Sequence, residues 1–373
     1  MENYNARYAR HYSLKDLGQE GQQKLAAAKV LVIGAGGLGC PVLHYLVASG
    51  IGAVGIVDND IVSLSNLQRQ VLYATDDLGR FKVEVAAEKL KRLNPETKIT
   101  IYNTAISSKN ALEIIVNFDI VVDCTDNFAS RYLINDACVL LDKPLVFGAV
   151  YQYEGQVAVF NVKDKNGVQA NYRHLFPNPP HPDEIQNCNE AGVLGVLPGI
   201  IGVMQATEVI KLLTKIGEVL INKLLTYNLL NYEIFILEIT GGSAVYNLIP
   251  KTEIAFKAMD YDWLCSVSIT EIEALSSADF ILKSTISDTI VIDVRERDEL
   301  PKADFYCINI PLSELSTKMD AINEKNILLF CQSGKRSLKA VVILKEKFGT
   351  TKTIRHLKDG IRALQDKYNE QDN

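Results

Sequence analysis

Apolar positions fall in short β-branched runs that alternate with stretches of helical spacing. Lys29 to Ile33 is a run of strand length that stops at a glycine cluster, and Pro41 to Ser49 then carries helical spacing. Ala53 to Val57 is a second run, ending at Asp58. Phe81 to Leu93 repeats its apolar residues at helical spacing and closes before Pro95, while Ile99 to Tyr102 and Ile120 to Asp123 have the length of strands. Strand, helix and strand in alternation predict an α/β fold with a mostly parallel sheet and helices on both faces. Gln156 to Val162 and Ile234 to Ile239 are expected as later strands. From Ile269 the alternation restarts: Ile290 to Val294 and Ile327 to Phe330 are predicted strands and Leu338 to Lys347 a helix, so a second, smaller α/β domain follows.

The 373 residues suffice for two domains. The expected division is 1–250, a bridge without periodicity at 251–268, and 269–373. Asn171 to Asn189, with four prolines and two histidines, is expected as a long loop. Ala191 to Met204 is the most apolar stretch; it contains Pro198 and is too short to span a bilayer, so a buried helix is expected. Apolar residues make up 47% and charged residues 23%, which suits a soluble globular chain, and a net charge of -6 argues against nucleic-acid and membrane-surface binding. The polar amino terminus lacks a secretory core segment, and seven scattered cysteines do not form a disulfide framework. A cytoplasmic protein whose special cysteines are reactive thiols is expected.

Gly34-Ala35-Gly36-Gly37-Leu38-Gly39 lies between a predicted strand and a predicted helix. Gly34, Gly36 and Gly39 fit the dinucleotide fingerprint, with Gly37 among them. Missing side chains let the backbone approach a phosphate, and the helix start offers unpaired N–H donors. Asp58 ends the next strand, where a carboxylate accepts hydrogen bonds from ribose hydroxyls. A tight turn without ligand is the structural alternative. The pattern indicates a nucleotide without separating NAD from ATP. Ser63 to Gln70 carries one cation, Arg69, and Lys82 follows; extra cations suit a triphosphate, and Arg10 is a further candidate. Asp123-Cys124-Thr125-Asp126-Asn127 closes another strand, and ligands sit beyond the carboxyl ends of parallel strands. Asp126 is thus placed to hold Mg²⁺ against phosphate oxygens, unless it merely caps the following helix.

Cys331-Gln332-Ser333-Gly334-Lys335-Arg336-Ser337 follows an apolar strand and precedes a helix. Such a loop can wrap backbone N–H groups around a sulfur. The helix start, Lys335 and Arg336 add positive potential, which favours a thiolate and then a persulfide. A phosphatase also uses a cysteine loop with an arginine, but its loop is usually one residue longer. Cys188 stands in the long loop, before Glu190-Ala191-Gly192-Val193, where exposure near a helix start would make a thiol reactive.

Taken together, Arg7-Tyr8-Ala9-Arg10, the glycine loop, Asp58 to Asp60, Ser63 to Gln70, Lys82 and Cys124 to Asn127 resemble the ubiquitin-activating-like adenylyltransferases over residues 1–245. The relevant branch contains molybdopterin-synthase adenylyltransferase and the thiamine sulfur-carrier adenylyltransferase. The resemblance implies a Rossmann-like domain using ATP and Mg²⁺. It implies that Asp58 binds ribose beside Asp60, that Asn66, Arg69 and Lys82 contact the phosphates, and that Asp126, next to Asn127, positions Mg²⁺. It implies a homodimer in which Arg10 reaches into the neighbouring nucleotide site. Its partner would be a small ubiquitin-like sulfur-carrier protein ending in Gly-Gly, of the molybdopterin-synthase small-subunit or thiamine type. In some such enzymes a cysteine at the place of Cys188 links covalently to the carrier.

The Cys331 loop, Asp293-Val294-Arg295-Glu296 and Asn309-Ile310-Pro311 resemble the rhodanese sulfurtransferases over Ile269 to Leu364. Asp293 and Arg295 are expected to pair and shape the loop. Fusion of the halves suggests that a Cys331 persulfide, fed by a donor such as a cysteine desulfurase, attacks the acyl-adenylate, with Cys188 serving in reduction. An NAD-dependent oxidoreductase would leave Arg69, Lys82, Asp126 and the Cys331 loop unexplained. A carrier-binding scaffold with a dead nucleotide site would require losses at Asp126 or in the glycine loop. The adenylyltransferases usually hold a structural zinc between two Cys-x-x-Cys pairs. Here Asn171-Tyr172-Arg173-His174 stands where the first belongs, no cysteine lies around Ile249 to Ala255, and no Cys-x-x-Cys occurs in the chain, so no structural zinc is expected.

Overall fold

The computed structural model describes residues 6–177, 192–261, 273–349 and 351–361. The chain divides into two compact units, Met1–Ser266 and Val267–Asn373.

In the first unit the strands are β1 (Lys29–Ile33), β2 (Ala53–Val57), β3 (Lys98–Tyr102), β4 (Ile120–Asp123), β5 (Leu145–Tyr151), β6 (Glu154–Phe160), β7 (Lys223–Asn228) and β8 (Ile234–Glu238). They form one sheet in the order β3-β2-β1-β4-β5-β6-β7-β8. The five strands β3, β2, β1, β4 and β5 run parallel, and β6, β7 and β8 are added antiparallel. Central parallel strands are covered on both faces, which explains why β1, β2 and β4 read as unbroken apolar runs. Val30 and Val32 of β1 enter one core with Leu46, Ile56 and Ile201, while Leu31 and Ile33 enter the other with Val121, Tyr132 and Phe147.

The chain leaves β1 toward β2 and β3, then returns to its other side for β4 and β5, so the strand order reverses between β1 and β4. Ile33 aligns with Val57 on one side and with Asp123 on the other. Gly34, Asp58 and Cys124 therefore leave the sheet side by side, at the point where an open α/β sheet forms its ligand crevice.

The apolar stretch expected as a helix at 191–204 is in fact the helix Val196–Thr214, shifted toward the carboxyl end. Its length and composition would allow it to cross a membrane, but it packs on the helix Gly39–Ala48 and on β5 and β6. Its buried polar residues are matched: Gln205 Nε2 donates to Asp123 O at 2.8 Å, and Glu208 Oε2 accepts from Leu220 N at 2.8 Å. Part of the expected long loop is a short helix, Tyr172–Leu175, with Tyr172 and Arg173 buried. The first part of the expected bridge is no linker. Glu253–Lys257 is a helix with Phe256 buried in the second core, and Tyr261 Oη donates to Asp136 at 3.0 Å. At the far edge β8 exposes all five residues, including Ile234, Phe235, Ile236 and Leu237.

The second unit contains β9 (Ala274–Leu275), β10 (Thr289–Asp293), β11 (Ile308–Asn309), β12 (Asn326–Phe330) and β13 (Thr353–Leu357). All pair in parallel, in the order β11-β10-β12-β13-β9. Phe280, Leu328, Phe330 and Leu357 lie in its core.

Candidate functional sites

A cavity of about 570 Å³ opens beyond the carboxyl ends of β1, β2 and β4. Gly34, Gly36 and Gly37 form one wall, and Asp58, Asp60, Asn66, Arg69, Lys82, Asp126 and Asn127 line the rest. Gly39 begins the helix behind the loop and does not line the cavity. A Cβ there would fall 1.9 Å from Gly34 O, so only glycine lets the helix start this close to the strand end. The loop is fixed from below, because Tyr73 Oη donates to Ala35 O at 2.8 Å.

Asp58 accepts from Ala35 N at 2.7 Å and from Asp60 N at 2.8 Å, which locks the acid to the glycine loop. Burial pushes its carboxyl above the usual carboxylate range, against the pull of Lys82. Lys82 is buried and donates to Asp60 at 2.8 Å. Arg69 donates to Ser65 O at 3.2 Å. The cap of the helix Phe128–Leu140 is Asn127, whose side chain accepts from Ser130 N at 2.9 Å; Asp126 is not the cap and stands exposed at the cavity. Arg10, on the helix Ala9–Tyr12, is exposed and does not line the cavity of its own chain. Cys188 lies outside the described residues.

Sequence reasoning missed three further groups. Asp123 is buried; its Oδ1 accepts from Thr125 N and Oγ1, whereas Oδ2 has no partner among the described residues, and burial pushes this carboxyl up. Arg131 lines the cavity with its guanidinium 5.3 and 5.6 Å from the ring centres of Phe128 and Phe147, and its Nε is likewise unpartnered. Gln70 is 4% exposed and its Oε1 also lacks a partner. Unsatisfied polar atoms cost free energy when buried, so the two that belong to residues lining the cavity, Gln70 and Arg131, mark a place built to meet a polar ligand. The available signal was position alone: Arg131 is one helical turn beyond Asn127.

In the second unit, Cys331 follows β12 and is 1% exposed. Gly334 has φ +81° and precedes the helix Lys335–Phe348; a Cβ there would fall 1.8 Å from Lys358 O. Arg295 is clamped to Asp293, from Nε at 2.9 Å and Nη2 at 2.7 Å, and its Nη1 donates to Gln332 Oε1 at 3.0 Å and Pro301 O at 2.9 Å. The Asp293–Arg295 pair thereby fixes the residue next to the cysteine. Ser333 is exposed. Ser337 turns inward, bonded to Gly334 O at 3.0 Å and facing His356 Nδ1 at 3.3 Å. Arg336 makes a two-pronged pair with Glu299 and lies within electrostatic reach of Cys331. That contact holds the Glu299 carboxyl at about 2. The Lys335 side chain lies outside the described residues.

The segment Asn171–His174 does not offer zinc ligands. Tyr172 packs among Tyr132, Phe147 and Phe176, and Arg173 pairs with buried Asp136 at 2.7 Å. His174 Nδ1 accepts from Asn171 N at 3.1 Å, so its Nε2 carries the proton and donates to Gly242 O at 3.1 Å. Among the described residues no three His, Cys, Asp or Glu side chains gather as a metal set.

The ThiF family sequence model matches residues 8–243, and that of the rhodanese-like domain matches residues 278–367. The "Probable adenylyltransferase/sulfurtransferase MoeZ" of Mycobacterium tuberculosis is 37% identical over 375 residues, covering 96% of this chain and 92% of its own. A sulfur carrier protein adenylyltransferase of Thermus thermophilus is 52% identical over 225 residues, 60% of this chain and 83% of that one. Among solved structures, that of E. coli MccB with ATP superposes with a TM-score of 0.56 at 26% identity, over 63% of this chain and 72% of that one. On the cavity at the strand reversal, the cysteine loop and these likenesses, the chain belongs to the ThiF family and carries a rhodanese-like domain behind it.

Proposed function

We propose that this chain is a sulfur-carrier adenylyltransferase and sulfurtransferase, which activates the C-terminal glycine carboxylate of a small ubiquitin-like carrier and delivers sulfur to it from Cys331. The observation that carries the reading is the convergence of Asp58, Arg69, Lys82 and Asp126 on one cavity beside the glycine loop. A carboxylate is a poor acyl donor because its oxygen is a bad leaving group. Its attack on the α-phosphate of ATP forms a carbonyl–oxygen–phosphorus link and expels pyrophosphate, after which AMP is a good leaving group. Arg69 and Lys82 lie where they can neutralise charge on the phosphates, while Asp58 offers acceptors to ribose hydroxyls. Asp126 would hold Mg²⁺, whose charge adds to that of the two cations. MccB was solved with ATP on a related fold, which supports ATP as the nucleotide.

In the second stage the outer sulfur of a Cys331 persulfide attacks the adenylate carbonyl, AMP departs, and an acyl persulfide remains. A second thiolate, assigned here to Cys188, then attacks the Cys331 sulfur. The carrier leaves as a thiocarboxylate and a Cys188–Cys331 disulfide forms, which an external dithiol reduces. A cysteine desulfurase would supply the persulfide. The enzyme acts as a homodimer, with Arg10 completing the nucleotide site of the neighbouring subunit.

The test is exchange of labelled pyrophosphate into ATP, with molybdopterin-synthase small-subunit and thiamine-type carriers in separate arms. Exchange that depends on a carrier with an intact Gly-Gly end is expected. Exchange without carrier, or none with either carrier, overturns the reading.

A further inference from the structure

The Arg336 guanidinium at the rim of the cysteine loop is neutralised from within. Arg336 Nη2 donates to Glu299 Oε2 at 2.6 Å, and its Nη1 engages Oε1 of the same carboxylate. Glu299 does not wander to meet it, since its Oε1 also accepts from Glu296 N at 3.0 Å. The other guanidinium beside the loop, that of Arg295, is spent on Asp293, Gln332 and Pro301. Among the described residues, both guanidinium groups at the loop are thus matched by a carboxylate.

Sulfur donors differ in how much they need such a cation. With thiosulfate, the Cys331 thiolate attacks the outer sulfur, the S–S bond breaks, and sulfite leaves with two negative charges, so three charges share the site throughout. With a thiol-borne persulfide entering as R–S–SH, the same thiolate takes the outer sulfur with its proton and R–S⁻ leaves, so the site carries a single charge. A bare guanidinium favours the first reaction far more than the second.

We propose that Glu299 sets the class of sulfur donor: by holding Arg336 it withholds the cation that a small oxyanionic donor such as thiosulfate requires, leaving a thiol-borne persulfide as the donor class. This rests on the persulfide reading of Cys331 given above. Glu299 touches neither donor and acts through Arg336, as a positioning residue.

The experiment uses the full chain and two donors, thiosulfate and an alkyl persulfide whose alkyl group carries no charge. Loading is followed by the mass added to Cys331, and thiosulfate turnover by thiocyanate formed when cyanide removes the outer sulfur. Glu299→Gln should raise kcat/KM for thiosulfate by about tenfold or more, chiefly through KM, the size expected of one charge-assisted hydrogen bond released to the anion. Loading from the alkyl persulfide should stay within about twofold, since no added charge needs the cation. Adding Arg336→Gln should erase the gain. No gain, an equal gain for both donors, a gain that survives without Arg336, or a wild-type enzyme that already prefers thiosulfate would each overturn the proposal. Glu299→Ser serves as a second variant, checked by thermal unfolding; if both variants unfold, Glu299 is structural and the proposal is wrong. Failure of the wild-type chain to load Cys331 from either donor would instead refute the persulfide reading itself.

Discussion

The glycine loop after β1 and the cysteine loop after β12 are made from the same parts: the carboxyl end of a buried parallel strand, a glycine without room for a side chain, and the start of a helix. They differ in what surrounds them. The first opens on a cavity of about 570 Å³, with Asp126 exposed at it and buried polar atoms left unpartnered around it. The second closes on a buried sulfur, and the Arg295 and Arg336 guanidinium groups are each matched by a carboxylate. A strand-to-helix turn supplies backbone donors in either case. Whether it receives a large polyanion or stabilises one small anion depends on the unmet polar groups beside it.

The sharpest way to break this comparison is to disable each loop alone. Asp126→Ala should cut carrier-dependent pyrophosphate exchange by about a thousandfold, as loss of charge stabilisation at a phosphate does, while Cys331 still loads with sulfur. Cys331→Ala should leave exchange unchanged and reduce thiocarboxylate formation to background, which mass spectrometry of the carrier reads directly. If either substitution disables both activities in a folded chain, the two sites are not the separate devices described.

Arg10 gives the next largest effect. Arg10→Ala and Asp126→Ala chains, each inactive alone, should regain about a quarter of wild-type exchange when mixed equally, because half the dimers are mixed and one of their two sites is whole. Heterodimers that form without activity would show that Arg10 serves its own chain.

A smaller effect is expected from Gly334→Ala. The left-handed φ and the clash with Lys358 O should cost the second unit about 2 kcal/mol and abolish sulfur loading, with exchange intact. Normal loading in that variant would mean that the loop relaxes and does not need its present path.

The smallest effect is a pH dependence. Burial lowers the pKa of His356 from its ordinary 6.5, so the folded second unit favours the neutral ring. A depressed folded value means stability that is complete above pH 6.5 and declines as pH falls below it, since the unfolded chain binds the proton more readily. His356→Asn should flatten that decline in thermal unfolding of the second unit; an unchanged slope would assign it to another group.

Much of this was legible because the informative residues are neighbours in sequence. Strands β1, β2 and β4 and the glycine loop announce themselves within a few residues, and the expected residues from Gly34 to Asn127, Gly39 excepted, converge on the cavity because parallel strands align their ends. Strands β5 and β7 carry weaker local signals: Gly148 lies inside the run Leu145–Tyr151, and β7 is fixed by its pairing with β6 on one side and β8 on the other. Partners far apart were equally hidden. Tyr261 meets Asp136 across 125 positions, which is why 251–261 read as a bridge, and Arg336 meets Glu299 across 37. Asp123 and Arg131 gain their significance only from burial, which no local pattern encodes.

The 1% exposure of Cys331 also bears on how this protein would look in a survey of reactive thiols. Bulky alkylating probes report accessibility, and the residue assigned the central sulfur chemistry presents almost no surface to them, whereas the half-buried Cys307 presents more. Such a survey would rank Cys307 above the cysteine proposed to carry the sulfur. A small sulfur donor, which needs only to reach the sulfur atom, would rank them the other way.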